Sequence, residues 1–372
     1  MSSLWPQSLL PAMRRALALA ERGRPGAAPN PMVGAVLVRE GRLLAEGWHE
    51  RAGDPHAEVR CLRGLPRSVT RGADLVVTLE PCCHEGRTPP CTGLILAAGI
   101  SRLVAAMEDP NPLVAGQGLA QLRAGGVETT CGLLEGEARA LNRHFVSAMT
   151  RGRPWVTLKW AQSLDGLITR QAGRPTALSG PASREETRLL RAAHPGLLIG
   201  VGTALADDPL LGLPHIPGRP FSGRAPHRLV LDSRARLPLD GRLVRSAREQ
   251  PLTLLCGREA PTVRVRRLER LGVGVARHGG AARPPLDWVL AECLALGLDG
   301  LLVEGGAAVH GSFLAAGLVD ELVTITAPLL LGRGLPAVQI AEGVAPARAF
   351  RLVRQRRVGA DLWQAWRPEA RG

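Results

Sequence analysis

Of three side chains that bind metals well, His56 and Cys91 stand at the start of helical patterns and Cys82 follows a strand pattern. This ordered set constrains the chain more than any other feature. Asp54-Pro55-His56-Ala57-Glu58 reads as a helix start, with Asp54 placed to cap and Pro55 at the first helical position, where its missing N–H costs nothing. His56 and Glu58 then fall in the first turn. Pro81-Cys82 follows a short apolar strand pattern at 75–79, and Cys91 opens another helical run. Thiolates near helix N-termini are favoured by the positive end of the dipole and by a cation. One histidine and two cysteines supply three protein ligands, which leaves the fourth tetrahedral position of a zinc ion for water. Zinc lowers the pKa of such a water towards neutrality, and Glu58 is then the proton shuttle. A fourth protein ligand, from Cys83 or His84, would make the site purely structural, and that alternative stays open at this point.

The surrounding pattern is α/β. Residues 12–22 carry Met13, Ala16, Leu17 and Ala20 at helical spacing and stop before Gly23. Short apolar runs at 33–38, 75–79 and 103–106 read as buried strands, and helical patterns follow at 56–64, 91–98 and 116–124. Such alternation predicts a three-layer α/β domain. The polar stretch Thr150-Arg151-Gly152-Arg153-Pro154 separates two segments that each make sense alone, so domains are expected at 1–150 and 154–372. The second segment alternates again, with strands at 155–160, 197–201, 228–232, 252–255, 300–303 and 321–327 and helices near 181–193, 286–296 and 307–316. The halves do not resemble one another.

A formal charge of +14 invites a nucleic-acid reading. The positive residues are almost all arginine, however, spread without a basic block, and aromatic residues for base stacking are few. A diffuse positive field suits phosphorylated small molecules, so the expected partners include no nucleic acid. No apolar run approaches the roughly 20 residues that span a bilayer, and no signal-peptide pattern opens the chain. Seven cysteines without framework spacing point to a reducing cytoplasm. Lys159 is the only lysine, which suggests a place needing a compact ammonium where arginine serves everywhere else.

The His-x-Glu…Pro-Cys…Cys order is the one used by zinc deaminases of bases and nucleotides. The loop Pro81-Cys82-Cys83-His84-Glu85-Gly86-Arg87-Thr88-Pro89-Pro90-Cys91, with Pro29-Asn30-Pro31-Met32-Val33-Gly34 and Asp109-Pro110-Asn111-Pro112, closely resembles the family of bifunctional riboflavin-biosynthesis deaminase–reductases. The long loop sets this family apart from base and cytidine deaminases, whose two cysteines lie about three residues apart. The resemblance implies a cytidine-deaminase-like α/β/α domain followed by a dihydrofolate-reductase-like α/β domain, with Zn2+ and NADPH as cofactors. It implies as substrate the diaminopyrimidinone ribosyl phosphate, deaminated first and then reduced from ribosyl to ribityl. Asn30, His49, His84 and Arg87 would position the pyrimidine. A homo-oligomer is expected.

The second half matches the family's reductase through Leu158-Lys159-Trp160-Ala161-Gln162-Ser163-Leu164-Asp165-Gly166, Gly202-Thr203-Ala204-Leu205-Ala206-Asp207-Asp208-Pro209, Leu229-Val230-Leu231-Asp232-Ser233 and Val303-Glu304-Gly305-Gly306. By resemblance Ala161, Thr203, Asp207, Ser233, Gly305 and Gly306 hold the cofactor, while Lys159, Arg191, Leu211 and Glu304 face the substrate. A strand ending in two glycines at a helix start presents backbone N–H groups to a dinucleotide phosphate. The chain also departs from the family. Cys83 replaces a serine. Pro175-Thr176-Ala177 stands where the family has Ser-x-Trp, and Leu211-Gly212-Leu213-Pro214 lacks the threonine and arginine of Leu-Thr-x-Arg. Losing that arginine's phosphate contact would cost about 1.5–3 kcal/mol, unless Arg219 or Arg224 compensates from the same loop. These departures motivate an alternative: a deaminase whose impaired second domain serves as a scaffold. A nucleic-acid editor using the same zinc chemistry is the third reading, opposed by the long loop and the reductase-like half.

Overall fold

Both halves of the chain build a central β-sheet covered by helices in the computed structural model, which describes residues 7–24, 26–85, 89–112, 114–213, 225–340 and 349–369. They form two compact units, Met1–Gly152 and Arg153–Gly372.

In the first unit, helix α1 (Leu10–Glu21) precedes the hairpin β1 (Gly34–Arg39) and β2 (Arg42–Trp48). Then come α2 (Ala57–Leu62), α3 (Arg67–Thr70), β3 (Asp74–Val77), α4 (Cys91–Ala98), β4 (Arg102–Ala105), α5 (Gln117–Ala124), β5 (Glu128–Cys131), α6 (Glu135–Leu141) and α7 (Arg143–Arg151). The sheet order is β2-β1-β3-β4-β5, with β1 antiparallel to both neighbours and β3, β4 and β5 parallel. Successive side chains on a strand point to opposite faces, and every core strand here is apolar on both. Ala35, Leu37, Leu75, Val77 and Leu103 pack under Ala57, Cys61, Ile95 and Leu122 of α2, α4 and α5. Val36, Val38, Val76 and Val104 meet Met13, Ala16 and Leu19 of α1 on the other side. These two buried layers produce the expected three-layer architecture.

The helix start at α2 differs from the sequence expectation. His56 itself is the N-cap residue, with extended backbone at φ −65° and ψ 163°, and no side chain caps the helix. Asp54 is drawn instead to Arg60, at 3.2 Å, where Glu50 also pairs at 2.7 Å. An ion pair one turn along the helix thus replaces the cap. His56 is left outside the helix while Glu58 sits in its first turn.

The second unit begins with Arg153, whose guanidinium grips the buried Asp320 through two bonds of 2.6 and 2.7 Å. Its elements are β6 (Trp155–Gln162), β7 (Leu167–Thr169), α8 (Pro181–Ala192), β8 (Gly196–Gly200), α9 (Val201–Asp207), β9 (His227–Leu231), α10 (Arg242–Arg245), β10 (Leu252–Cys256), α11 (Thr262–Arg270) and β11 (Gly274–Arg277). After these come α12 (Leu286–Ala295), β12 (Gly300–Val303), α13 (Ala307–Ala315), β13 (Glu321–Thr326), β14 (Leu335–Pro336), β15 (Phe350–Val358) and β16 (Asp361–Pro368). The main sheet runs β11-β10-β9-β8-β12-β6-β13-β16-β15. It is parallel from β11 to β13, and the β15–β16 hairpin closes one edge antiparallel. Alternation again builds two layers: Leu197, Ile199, Val230 and Leu254 face α11, whereas Val156, Leu158, Leu198 and Leu301 face α12 and α13. In open sheets of this kind ligands bind beyond the carboxyl ends of the strands, where the strand order reverses. Here that place lies at the ends of β6, β8 and β12.

Candidate active sites

In the first unit His56, Cys82 and Cys91 come together. Their donor atoms lie within 4.8 Å of one another, the one such His, Cys, Asp and Glu group among the described residues. The His56 Nδ1 is 3.3 Å from the Cys91 Sγ and 3.5 Å from the Cys82 Sγ. Tetrahedral zinc with bonds of about 2.0–2.3 Å requires ligand separations of roughly 3.3–3.8 Å, so these residues fit the ion. The group contains neither Cys83 nor His84, which leaves three protein ligands and an open fourth position.

The charge state also suits a cation. Hydrogen bonding from Cys91, then from His56, draws the Cys82 thiol down to about 4, whereas Cys91 is pushed upward by its bond to Cys82 and by burial. A thiol drawn down in this way is readily deprotonated, as a metal ligand must be. Glu58 stands beside them, 3% exposed, and burial pushes its carboxyl up to about 6. A carboxyl so placed exchanges a proton near neutral pH.

This centre opens on a cavity of about 390 Å³ that includes Asn30, His49, His84 and Asp109. His49 Nδ1 lies 3.3 Å from the Pro55 carbonyl, which can only accept, so Nδ1 carries the hydrogen. Its Nε2 then accepts from the Asn30 amide at 3.2 Å, which fixes both side chains against the cavity wall. Arg87 lies outside the described residues. Sequence reasoning missed Glu80, a buried carboxylate that accepts from the backbone N–H groups of Asp109, Gly116 and Leu119 at 2.9–3.1 Å. It pins the loop that carries Asp109, whose carboxyl burial raises to about 6. Gly118 completes the arrangement: a Cβ there would fall 2.1 Å from the Pro81 carbonyl, so only glycine lets α5 approach the cysteine loop.

The second unit holds a cavity of about 410 Å³ at the ends of β6, β8 and β12. Lys159, Ala161, Thr203, Asp207, Glu304, Gly305 and Gly306 all line it. Gly305 has φ +124°, a conformation L side chains rarely adopt, and a Cβ on Gly306 would stand 3.2 Å from the Thr203 hydroxyl. This is a backbone cradle with room for a dinucleotide phosphate, so the residues fit the cofactor. Burial opposes ionisation of Glu304, but Arg191 and Lys159 outweigh it and hold the carboxyl at about 2. Burial lowers the Lys159 pKa, and Glu304 works against that.

Three expected residues are placed differently. Arg191 does not line the cavity; it holds the Glu304 carboxylate through bonds of 2.6 and 2.7 Å. Leu211, with φ +54°, is 5% exposed and its side chain packs in the core with Ile199, Val201 and Ala204. Only its backbone remains for a ligand. Ser233 is outside the cavity lining; its carbonyl accepts from Gly257. Pro214, Arg219 and Arg224 lie outside the described residues. Sequence reasoning also missed His310, 1% exposed, whose ring lies 5.0 Å from that of Trp160 and whose Nδ1 donates to the Ala337 carbonyl at 3.1 Å. A histidine inside an apolar helix gave no signal.

Residues 7–107 match the cytidine and deoxycytidylate deaminase zinc-binding region, and residues 154–363 match the RibD C-terminal domain. Riboflavin biosynthesis protein RibD of Escherichia coli is 40% identical over 369 residues, covering 94% of this chain and 96% of its own length. The RibD of Aquifex aeolicus is 38% identical over 353 residues, with the same coverage. Among solved structures, a form of Acinetobacter baumannii RibD superposes with a TM-score of 0.88 at 34% identity over 98% of this chain and 99% of that one. A diaminohydroxyphosphoribosylaminopyrimidine deaminase/5-amino-6-(5-phosphoribosylamino)uracil reductase of Thermotoga maritima gives 0.83 at 31% identity over 97% and 99%. With curated relatives matched along nearly their whole length and both halves assigned, the chain belongs to the RibD family of riboflavin biosynthesis proteins.

Proposed function

We propose that the chain performs two consecutive steps of riboflavin synthesis in two separate cavities, deamination in a domain of residues 1–150 and reduction in one of residues 154–372. The observation that carries this reading is the convergence of His56, Cys82 and Cys91 beside the buried Glu58, on a chain whose other half holds a glycine cradle with a lysine and a glutamate.

His56, Cys82 and Cys91 hold the zinc ion, which when bound supplies a Lewis acid that makes water nucleophilic at neutral pH. Glu58 would take one proton from the water and pass it to the ring nitrogen, then carry the remaining hydroxyl proton to the amino group that leaves as ammonia. Its burial suits both roles, since a carboxyl near 6 accepts and releases a proton at cellular pH. Asn30 and His49, locked to each other, present fixed polar edges to the pyrimidine, with His84 and Arg87 from the long loop.

In the second cavity NADPH, when bound, supplies the hydride. Thr203, Asp207, Gly305 and Gly306 seat the cofactor. The Lys159 ammonium makes no hydrogen bond among the described residues and is available to donate to the substrate, while Arg191 fixes the carboxylate of Glu304. The intact arrangement of these three gives the scaffold alternative no support. No helix among the described residues is long and apolar enough to cross a membrane. A cytoplasmic homo-oligomer acting on a phosphoribosylated pyrimidine completes the proposal.

The test is to give zinc-loaded protein the diaminopyrimidinone ribosyl phosphate with and without NADPH and to weigh the products. Ammonia loss alone is expected without NADPH, and ammonia loss followed by gain of hydride and proton with it. Ammonia release without any NADPH oxidation would remove the second half of the proposal; no turnover would remove both.

A further inference from the structure

The second cavity must take two phosphorylated molecules, and phosphate monoesters carry close to two negative charges that need charge-assisted donors. The arginine found in the family's Leu-Thr-x-Arg segment is missing from Leu211-Gly212-Leu213, and Leu211 is in the core. Two residues of the described cavity lining carry an ammonium or guanidinium group, Lys159 and Arg174. Lys159 is deep in the cavity, where it shares the lining with the Glu304 carboxylate. Arg174 is exposed at the wall, on the segment where Pro175-Thr176-Ala177 replaces the family's Ser-x-Trp.

Backbone and hydroxyl contacts hold that segment in place. Gln171 and Arg174 form a β-bridge, and the Arg174 N–H donates to the Gln171 carbonyl at 3.1 Å. The Thr169 hydroxyl donates to the Arg174 carbonyl and lies 3.1 Å from the Thr176 hydroxyl, which also accepts from the Arg170 N–H at 3.3 Å. These contacts use the main chain of Arg174. Its guanidinium forms no ion pair or hydrogen bond among the described residues and remains available with its planar fork of donors.

We propose that Arg174, beside Thr176, is the phosphate-binding edge of the reductase cavity. The ligand group is a phosphate monoester, borne either by the ribosyl 5-position of the substrate or by the adenosine 2′-position of NADPH. The inference rests on the reductase reading above.

The experiment measures NADPH oxidation with the deaminated phosphoribosyl substrate for the wild type, Arg174→Gln and Arg174→Lys, together with calorimetric binding of NADPH and NADH. Arg174→Gln is expected to raise one KM about ten- to a hundredfold with little change in kcat, and Arg174→Lys to recover part of the loss. If the substrate phosphate is the partner, the difference between wild type and Arg174→Gln disappears with dephosphorylated substrate, and NADPH binding is unchanged. If the cofactor phosphate is the partner, NADPH binding weakens while NADH binding does not. Either pattern supports the proposal. Unchanged KM values for both ligands, or an equal loss with phosphorylated and dephosphorylated forms of each, would overturn it. A wild-type chain that deaminates but oxidises no NADPH would overturn the reductase reading and this inference with it.

Discussion

The two cavities solve the same problem, fixing a phosphorylated pyrimidine beside a reactive group, with different amounts of local sequence. The first concentrates its chemistry on two short segments, His56 to Glu58 and Cys82 to Cys91, joined at one group within 4.8 Å. The second draws Lys159 from within β6, Thr203 from the start of α9 and Glu304 from just after β12, all far apart in sequence, and one of its charges, Arg191, does not line the cavity. A metal site is set by ligand type and distance, which short spacings record. A cradle for a dinucleotide is set by where strands end in the sheet, which they do not.

That contrast predicts unequal tolerance. The largest effect is expected at Glu58: Glu58→Gln should lower deamination by about 10²–10⁴-fold while zinc content, measured by elemental analysis, stays at one per chain. Deamination close to the wild-type rate would take Glu58 out of the proton-transfer role.

Glu304→Gln comes next. It leaves Arg191 and Lys159 without their buried counter-charge, a loss of about 3–5 kcal/mol, and reduction should fail while deamination persists. The sign of the pH effect follows. Arg191 and Lys159 hold the Glu304 carboxyl at about 2, below its unfolded value. Its stabilisation is therefore complete above about pH 4 and is lost as pH falls through about 2. The wild type should lose stability over that window, and the Gln variant should be less stable above it and flatter within it. Five of the seven tryptophans, Trp155, Trp160, Trp288, Trp363 and Trp366, lie in the second unit, so fluorescence melting reports mainly on it. Parallel curves for the two proteins would mean that the pair is not ionic.

Lys159→Arg is expected to cut reduction by about tenfold, the scale of one charge-assisted hydrogen bond lost when a planar fork replaces a compact ammonium. Equal kinetics would show that the single lysine is a survivor of composition. The smallest effect is expected at Asn30. Asn30→Leu removes the donor to His49 Nε2 and should raise the deamination KM about fivefold, as for one neutral hydrogen bond, and leave reduction unchanged.

The sequence made some of this legible and hid the rest for physical reasons. Strands buried on both faces, such as β1 and β12, are continuous apolar runs and were expected within a residue or two. The β15 strand was not: it lies at the sheet edge, and Arg351, Arg354, Arg356 and Arg357 interrupt any apolar alternation. The candidate metal group was legible because a histidine and a cysteine at helix starts, with a second cysteine after a strand, make an uncommon set, whereas the cap expected from Asp54 gave way to its pairing with Arg60. Glu80 and His310 left no mark in sequence. Each matters through what it holds, the loop of Asp109 or a place beside Trp160, and only the folded chain brings those partners near.

The central claim, two chemically independent sites on one chain, is tested most directly by giving the Glu58→Gln protein the already deaminated phosphoribosyl intermediate with NADPH. The account predicts reduction at the wild-type rate, although the same protein deaminates the diamino substrate about 10²–10⁴-fold more slowly. A reductase rate that falls together with deamination would contradict it.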